Sequence, residues 1–215
     1  MIQSNYQRIR NEIAAAANGR PVKLIGASKT MAPEKIRQAY DSGLRCFGEN
    51  RIQEAVAKIP VLPSDIEWHF IGHLQRNKVQ EAVRFFSWIQ SVDSQRLLNA
   101  IEKEAAKQQK RMLLLLEVNV ANEQTKHGLL PEALKELLHT KLEWTEIRGL
   151  MAIPPFYEDP ELVRPHFQTL RELAASDPGL KELSMGMSHD YKVAIEEGAT
   201  MVRIGTALFG KRKIL

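Results

Sequence analysis

The sequence predicts an α/β protein built as one (β/α)8 TIM barrel. Three observations carry this. Eight short apolar segments recur along 215 residues. Helical patterns lie between them, as eight βα units require. No Gly-rich G-x-G turn follows the first segment, as a doubly wound open sheet would normally show. With no internal repeat, low-complexity tract or linker, residues 1–215 read as a single domain.

An extra helix comes first, because Ile2, Tyr6, Ile9 and Ile13 recur at helical spacing. The first strand is 22–29 (VKLIGASK). Pro33 suits the first turn of the next helix, which runs to about Ser42 and stops at Gly43. Strands 45–49 (RCFGE) and 67–72 (EWHFIG) follow, with helices near 50–58 and 75–84. Strand 88–92 (WIQSV) leads through the capping pair Asp93-Ser94 into a helix over 94–109. Strand 112–120 (MLLLLEVNV), helix 131–138, strand 147–153 (IRGLMAI) and helix 160–175 come next. Asp177-Pro178-Gly179 makes a turn before strand 183–187 (LSMGM). Helix 189–197 ends at Gly198, and strand 200–205 (TMVRIG) is the eighth.

Composition narrows the function. The longest apolar run, Met112–Leu116, is far too short to span a bilayer. The N-terminus lacks an apolar signal core, and its arginines sit on a helix whose apolar stripe already has a use in packing. One cysteine, Cys46, permits no intrachain disulfide and fits a reducing, cytoplasmic setting. The net charge is only +4, with Lys211-Arg212-Lys213 supplying much of the excess. No basic stripe interleaved with aromatics suggests nucleic acid.

Chemistry in such a barrel sits where the strands end. Lys29 ends the first strand on the side of Ile25 and Ala27. If that side is the interior, burial favours the neutral amine, a nucleophile toward carbonyls. The alternative is a surface lysine whose stem covers apolar neighbours. Ser188, Gly205 and Thr206 end strands seven and eight, where this fold commonly holds a phosphate. Ser188 could equally be a plain helix cap and Gly205 a turn glycine. Arg203 either stands at the barrel mouth or pairs with Glu117, a carboxylate that interrupts a leucine-rich strand and calls for a cation. His69 and His73 are four residues apart, but no H-E-x-x-H is present and no metal is expected.

The segments ASKT around Lys29, CFGENRIQE at 46–54, WHFIGHLQRNK at 68–78, VNVANEQTKHG at 118–128, IRGLMAI at 147–153 and LSMGMSHDYKVAIEEGATMVRIGTALFG at 183–210 closely resemble the pyridoxal-phosphate homeostasis protein family. The resemblance runs from about residue 4 to 210. It implies a fold-type III barrel like the N-terminal domain of alanine racemase, binding pyridoxal 5'-phosphate (PLP) as an aldimine of Lys29. By the same resemblance, Ser188, Gly205 and Thr206 hold the phosphate and Arg203 faces the pyridine nitrogen. Asn50 and Met185 lie near the ring. The family is regarded as non-enzymatic, buffering or delivering the cofactor, so PLP-dependent apo-enzymes are conceivable partners. The chain stops after the eighth strand, and none of Tyr6, Tyr40, Tyr157 and Tyr191 falls in a second domain like a racemase's. A two-base proton transfer would then lack one base, and a monomer is expected. A minimal racemase-like enzyme and a cofactor-free Schiff-base aldolase are the competing readings.

Overall fold

Alternate residues of a strand face opposite sides, and in this chain both sides are mostly buried. That is the pattern of a parallel sheet covered by helices. The structure, a computed structural model, describes residues 1–123 and 127–210. Its strands are β1 (Lys23–Ala27), β2 (Cys46–Glu49), β3 (Glu67–Phe70), β4 (Trp88–Val92), β5 (Met112–Glu117), β6 (Thr145–Met151), β7 (Glu182–Ser184) and β8 (Met201–Ile204). They form a closed parallel barrel in chain order. The ring closes where β8 lies beside β1, with Lys23 opposite Met201 and Gly26 opposite Ile204. The α/β barrel expected from the sequence is therefore the fold observed.

The helices are α1 (Ile2–Ala17), α2 (Pro33–Asp41), α3 (Ile52–Lys58), α4 (Val79–Phe85), α5 (Gln95–Lys107), α6 (Leu134–Leu138), α7 (Arg164–Ala175), α8 (Tyr191–Glu196) and α9 (Thr206–Phe209). The extra helix α1 buries Ile2, Tyr6, Ile9, Ile13 and Ala17 against α2, α8 and α9. Each large apolar side chain so buried contributes about 1.5–3 kcal/mol. Asn18 ends it in the left-handed conformation, φ 46°. At α5, Ser94 Oγ accepts from Leu97 N at 3.3 Å, the expected cap.

Two cores result. The large one lies between strands and helices. The small one lies inside the barrel, where Ile25, Trp88, Leu115, Met151 and Met201 pack together. The rest of the interior is polar, with His69, Gln90, Ser184 and Arg203 all buried.

Boundaries differ from the sequence reading in instructive places. β1 stops at Ala27, so Lys29 sits in the following turn rather than on the strand. β5 stops at Glu117, and only a single bridge, Val118 to Leu129, continues it. β7 is three residues long, and α8 starts at Tyr191, two residues later than expected. The helix α9 was not anticipated. Residues 124–126 of the VNVANEQTKHG motif and the basic Lys211-Arg212-Lys213 end lie outside the described residues.

Candidate functional site

The turn that carries Lys29 is clamped on both sides. Ser28 is fully buried, and its Oγ donates to Glu49 Oε1 at 2.7 Å. Thr30 adopts the left-handed φ of 65°, and its backbone N–H donates to Glu54 Oε2 at 2.7 Å. One ammonium ties these anchors together. Lys58 Nζ reaches the Ser28 carbonyl at 3.1 Å and a carboxylate oxygen of both Glu49 and Glu54 at 3.0 Å. Burial raises the Glu49 carboxyl above its ordinary value, while Ser28 and Lys58 pull it back. The half-buried Lys29 therefore emerges from a rigid base into the barrel mouth.

There it lines a cavity of about 210 Å³ together with Asn50, Ser188, Arg203, Gly205 and Thr206. Six of the seven residues expected at the site thus share one cavity. Ile71, Ile153, Met187 and His189 complete much of its wall. Met185 is the exception: it is fully buried in the large outer core. The reason is strand parity. Ser184 points inward, so the next residue points out. A larger cavity of about 440 Å³ lies at the opposite, N-terminal end of the barrel, beside α1, and contains none of these residues.

The two last strand ends meet at the cavity. Ser188 Oγ accepts from the Ala207 N–H at 3.2 Å, so it joins the loops after β7 and β8. It is not the cap of α8, since Asp190 occupies that position. Gly186 makes the tight turn before it, with φ +90°, and a Cβ there would lie 2.5 Å from Ala194 Cβ. A Cβ on Gly205 would press to 3.3 Å from the Ala27 carbonyl oxygen. Gly186 thus lets the β7–α8 loop pack closely on α8, and Gly205 lets the chain after β8 run close beside the end of β1.

Arg203 is 4% exposed and projects inward from β8. Its guanidinium donates to the Ser184 carbonyl at 2.7 Å, to Ser184 Oγ at 2.6 Å and to the Ala152 carbonyl at 2.9 Å. Burial pushes it down to about 10, partly offset by Glu117 and Asp190, so it stays charged at neutral pH. The ion pair with Glu117 considered from the sequence is not made; Arg203 acts on it only through space. Burial and the Asp93 charge push Glu117 up to about 7. His69 and His73 also part company. His69 lies inside the barrel with Glu67 and Gln90, whereas His73 Nδ1 is 3.2 Å from Asp93 Oδ2 and its ring stacks on His127.

The residues fit a phosphorylated aldehyde with a heteroaromatic ring. Lys29 offers an amine, while Ser188 and Thr206 offer hydroxyls. Asn50 Oδ1 is buried without a partner, an acceptor that a ligand hydroxyl could satisfy. Arg203 can only donate, so it suits an unprotonated ring nitrogen.

Sequence reading missed the Lys58 clamp and the polar interior. Gln90, an amide inside the apolar WIQSV strand at the same parity as Trp88, was the available signal for the second. The first had none, because it depends on where α3 docks.

Fold and site define a class of protein: a (β/α)8 barrel with an amine, an arginine and two hydroxyl side chains gathered at its C-terminal mouth. The family model "Alanine racemase, N-terminal domain" matches residues 1–213. A pyridoxal phosphate homeostasis protein of Aquifex aeolicus is 50% identical over 216 residues, covering 96% of this chain and 95% of that protein. One from Pseudomonas aeruginosa is 42% identical over 211 residues, covering 95% and 91%. Among solved structures, PipY of Synechococcus elongatus with PLP bound shares 38% identity at a TM-score of 0.85, covering 98% of this chain and 100% of that one. The chain belongs to the pyridoxal phosphate homeostasis protein family.

Proposed function

We propose that this protein binds PLP reversibly and serves its homeostasis, holding the cofactor as an aldimine of Lys29 and buffering or delivering it. The observation that supports this most is the convergence of Lys29, Ser188, Gly205, Thr206 and Arg203 on one cavity. When bound, PLP supplies a masked aldehyde and a potential electron sink. The roles of the chain's own groups follow. Lys29 Nζ carries the covalent link. Ser188 and Thr206, with the slim backbone at Gly205, take the phosphate. Asn50 borders the ring. Arg203 meets the ring nitrogen as a cation and disfavours its protonation, which weakens the ring as an electron sink. That arrangement favours holding over catalysis. Met185 takes no part in contact.

The same proposal includes one functional unit over the whole chain, a monomeric state, a cytoplasmic location and transfer to PLP-dependent apo-enzymes. Among the described residues no helix is long and apolar enough to cross a membrane.

Two measurements test it. Purified protein mixed with PLP should develop a long-wave absorbance that Lys29→Ala lacks. Protein that stays colourless with excess cofactor contradicts the reading. Single L-amino acids in deuterated water should show no rapid Cα–H exchange. Exchange or D-isomer formation would instead establish a racemase-like enzyme.

A further inference from the structure

Beneath the cavity, the barrel interior carries a line of hydrogen bonds from the C-terminal mouth to the N-terminal end. It starts at Arg203 in the C-terminal mouth. Arg203 Nη1 lies 2.6 Å from Ser184 Oγ, and Ser184 Oγ lies 2.7 Å from Gln90 Oε1. Gln90 Nε2 lies 2.9 Å from His69 Nδ1, and His69 Nε2 lies 2.6 Å from Glu67 Oε1. Glu67 begins β3 at the N-terminal end of the barrel, where Lys23 Nζ donates to the same oxygen at 2.7 Å. Ser184, Gln90 and His69 are completely buried.

The direction of every proton in this line follows from its ends. A guanidinium has no acceptor, so Ser184 Oγ accepts from Arg203. Its own proton then goes to Gln90 Oε1. That turns the Gln90 amide so that Nε2–H points at His69 Nδ1. The imidazole must accept there and carry its proton on Nε2. The other end requires the same tautomer, because Glu67 can only accept when ionised. The Glu67 carboxyl is held at about 2, above all by the His69 bond and against the effect of burial. Burial lowers the His69 imidazole, opposed by Glu67 and Glu182 and aided by Lys23, which agrees with a neutral ring. The charged and titratable groups around that ring are Lys23 from β1, Cys46 from β2, Glu67 from its own strand and Glu182 from β7.

A buried polar chain stabilises only when every member is satisfied. Apolar side chains of similar size could have filled this space, as Ile25, Leu115 and Met151 do nearby. We propose that the chain is a proton-ordered device that fixes Arg203, with Ser184, Gln90 and His69 as its positioning residues. It polarises the guanidinium from beneath and holds it in one orientation at the cavity wall. What Arg203 faces in that cavity rests on the PLP reading; the order of the chain does not.

Nitrogen-15 NMR of the unliganded protein tests the order. Wild type should show His69 as the neutral Nε2–H tautomer and Arg203 with resolved, slowly exchanging Nη–H signals. The near-isosteric Gln90→Glu places an acceptor against Nδ1, so His69 should become an imidazolium. Gln90→Leu and Ser184→Ala should average the Arg203 signals. In PLP-loaded protein the same two variants should shift the absorbance maximum and raise the Kd about tenfold, the size of one lost bond to a charged group. A wild-type His69 protonated on Nδ1, or as the cation, overturns the ordering. Variants that lower Tm while leaving the Arg203 signals and the absorbance maximum unchanged overturn the positioning role. A wild type that takes up no PLP overturns the cofactor reading instead, and the NMR measurements still decide the chain.

Discussion

Glu117 shows how much one side chain can cost in a barrel mouth. It is a buried carboxylate with no hydrogen bond among the described residues, and burial and Asp93 raise it to about 7. A raised acid disfavours ionisation in the folded state. Its contribution is complete below the unfolded value near 4.5 and is lost as pH rises through about 7. Stability should therefore fall between those limits. Glu117→Gln should flatten the profile and gain on the order of 2–3 kcal/mol at pH 8 relative to pH 4. Urea melts at several pH values check this, and parallel profiles for the two proteins would contradict it. Of the residues expected at the site, Lys29 and Arg203, which both line the cavity, stood out in the sequence because each is a cation at an expected strand end. Met185 was misplaced because resemblance suggested nearness to the ring, while strand parity turned it into the outer core.

The β1–α2 turn and the β7–α8 loop are two of the pieces of backbone that shape the cavity. In the first, Lys58 neutralises Glu49, whose side chain is wholly buried. Lys58→Met would strand that charge and should cost about 3–5 kcal/mol in unfolding experiments. Glu49→Gln in the same background should recover part of the loss. In the second, Gly186→Ala combines a positive φ with a close approach to Ala194. It should destabilise by more than about 1 kcal/mol and weaken PLP binding, because Ser188 follows two residues later. Thermal melts and titrations read both effects. The strands themselves were readable from apolar runs buried on both faces, such as MLLLLE in β5. Their ends were less so. Lys29 lies beyond the strand because the chain turns there: Met31 N–H donates to the Ser28 carbonyl, and Thr30, at φ 65°, is held by Glu54, a tertiary contact that local pattern does not encode. The short α9 was hidden because four residues carry too little periodicity to register.

The closed barrel gives the cavity a packed floor and an open mouth. Ile153 and Met187 border the cavity and are each 38% exposed, so its entrance is apolar as well as accessible. A ligand that binds only the folded barrel must stabilise it by mass action. At a free concentration of about 100 times Kd, PLP should add about 2.7 kcal/mol. For a chain of this length that raises Tm by about 5–10 °C. Scanning calorimetry with and without PLP checks it, and Lys29→Ala should lose most of the gain. The most direct test of the central assignment is the site of attachment. Protein incubated with PLP, reduced with borohydride and digested should yield one phosphopyridoxyl peptide, carrying the label on Lys29. A label spread over several lysines, or placed on another one, would contradict it.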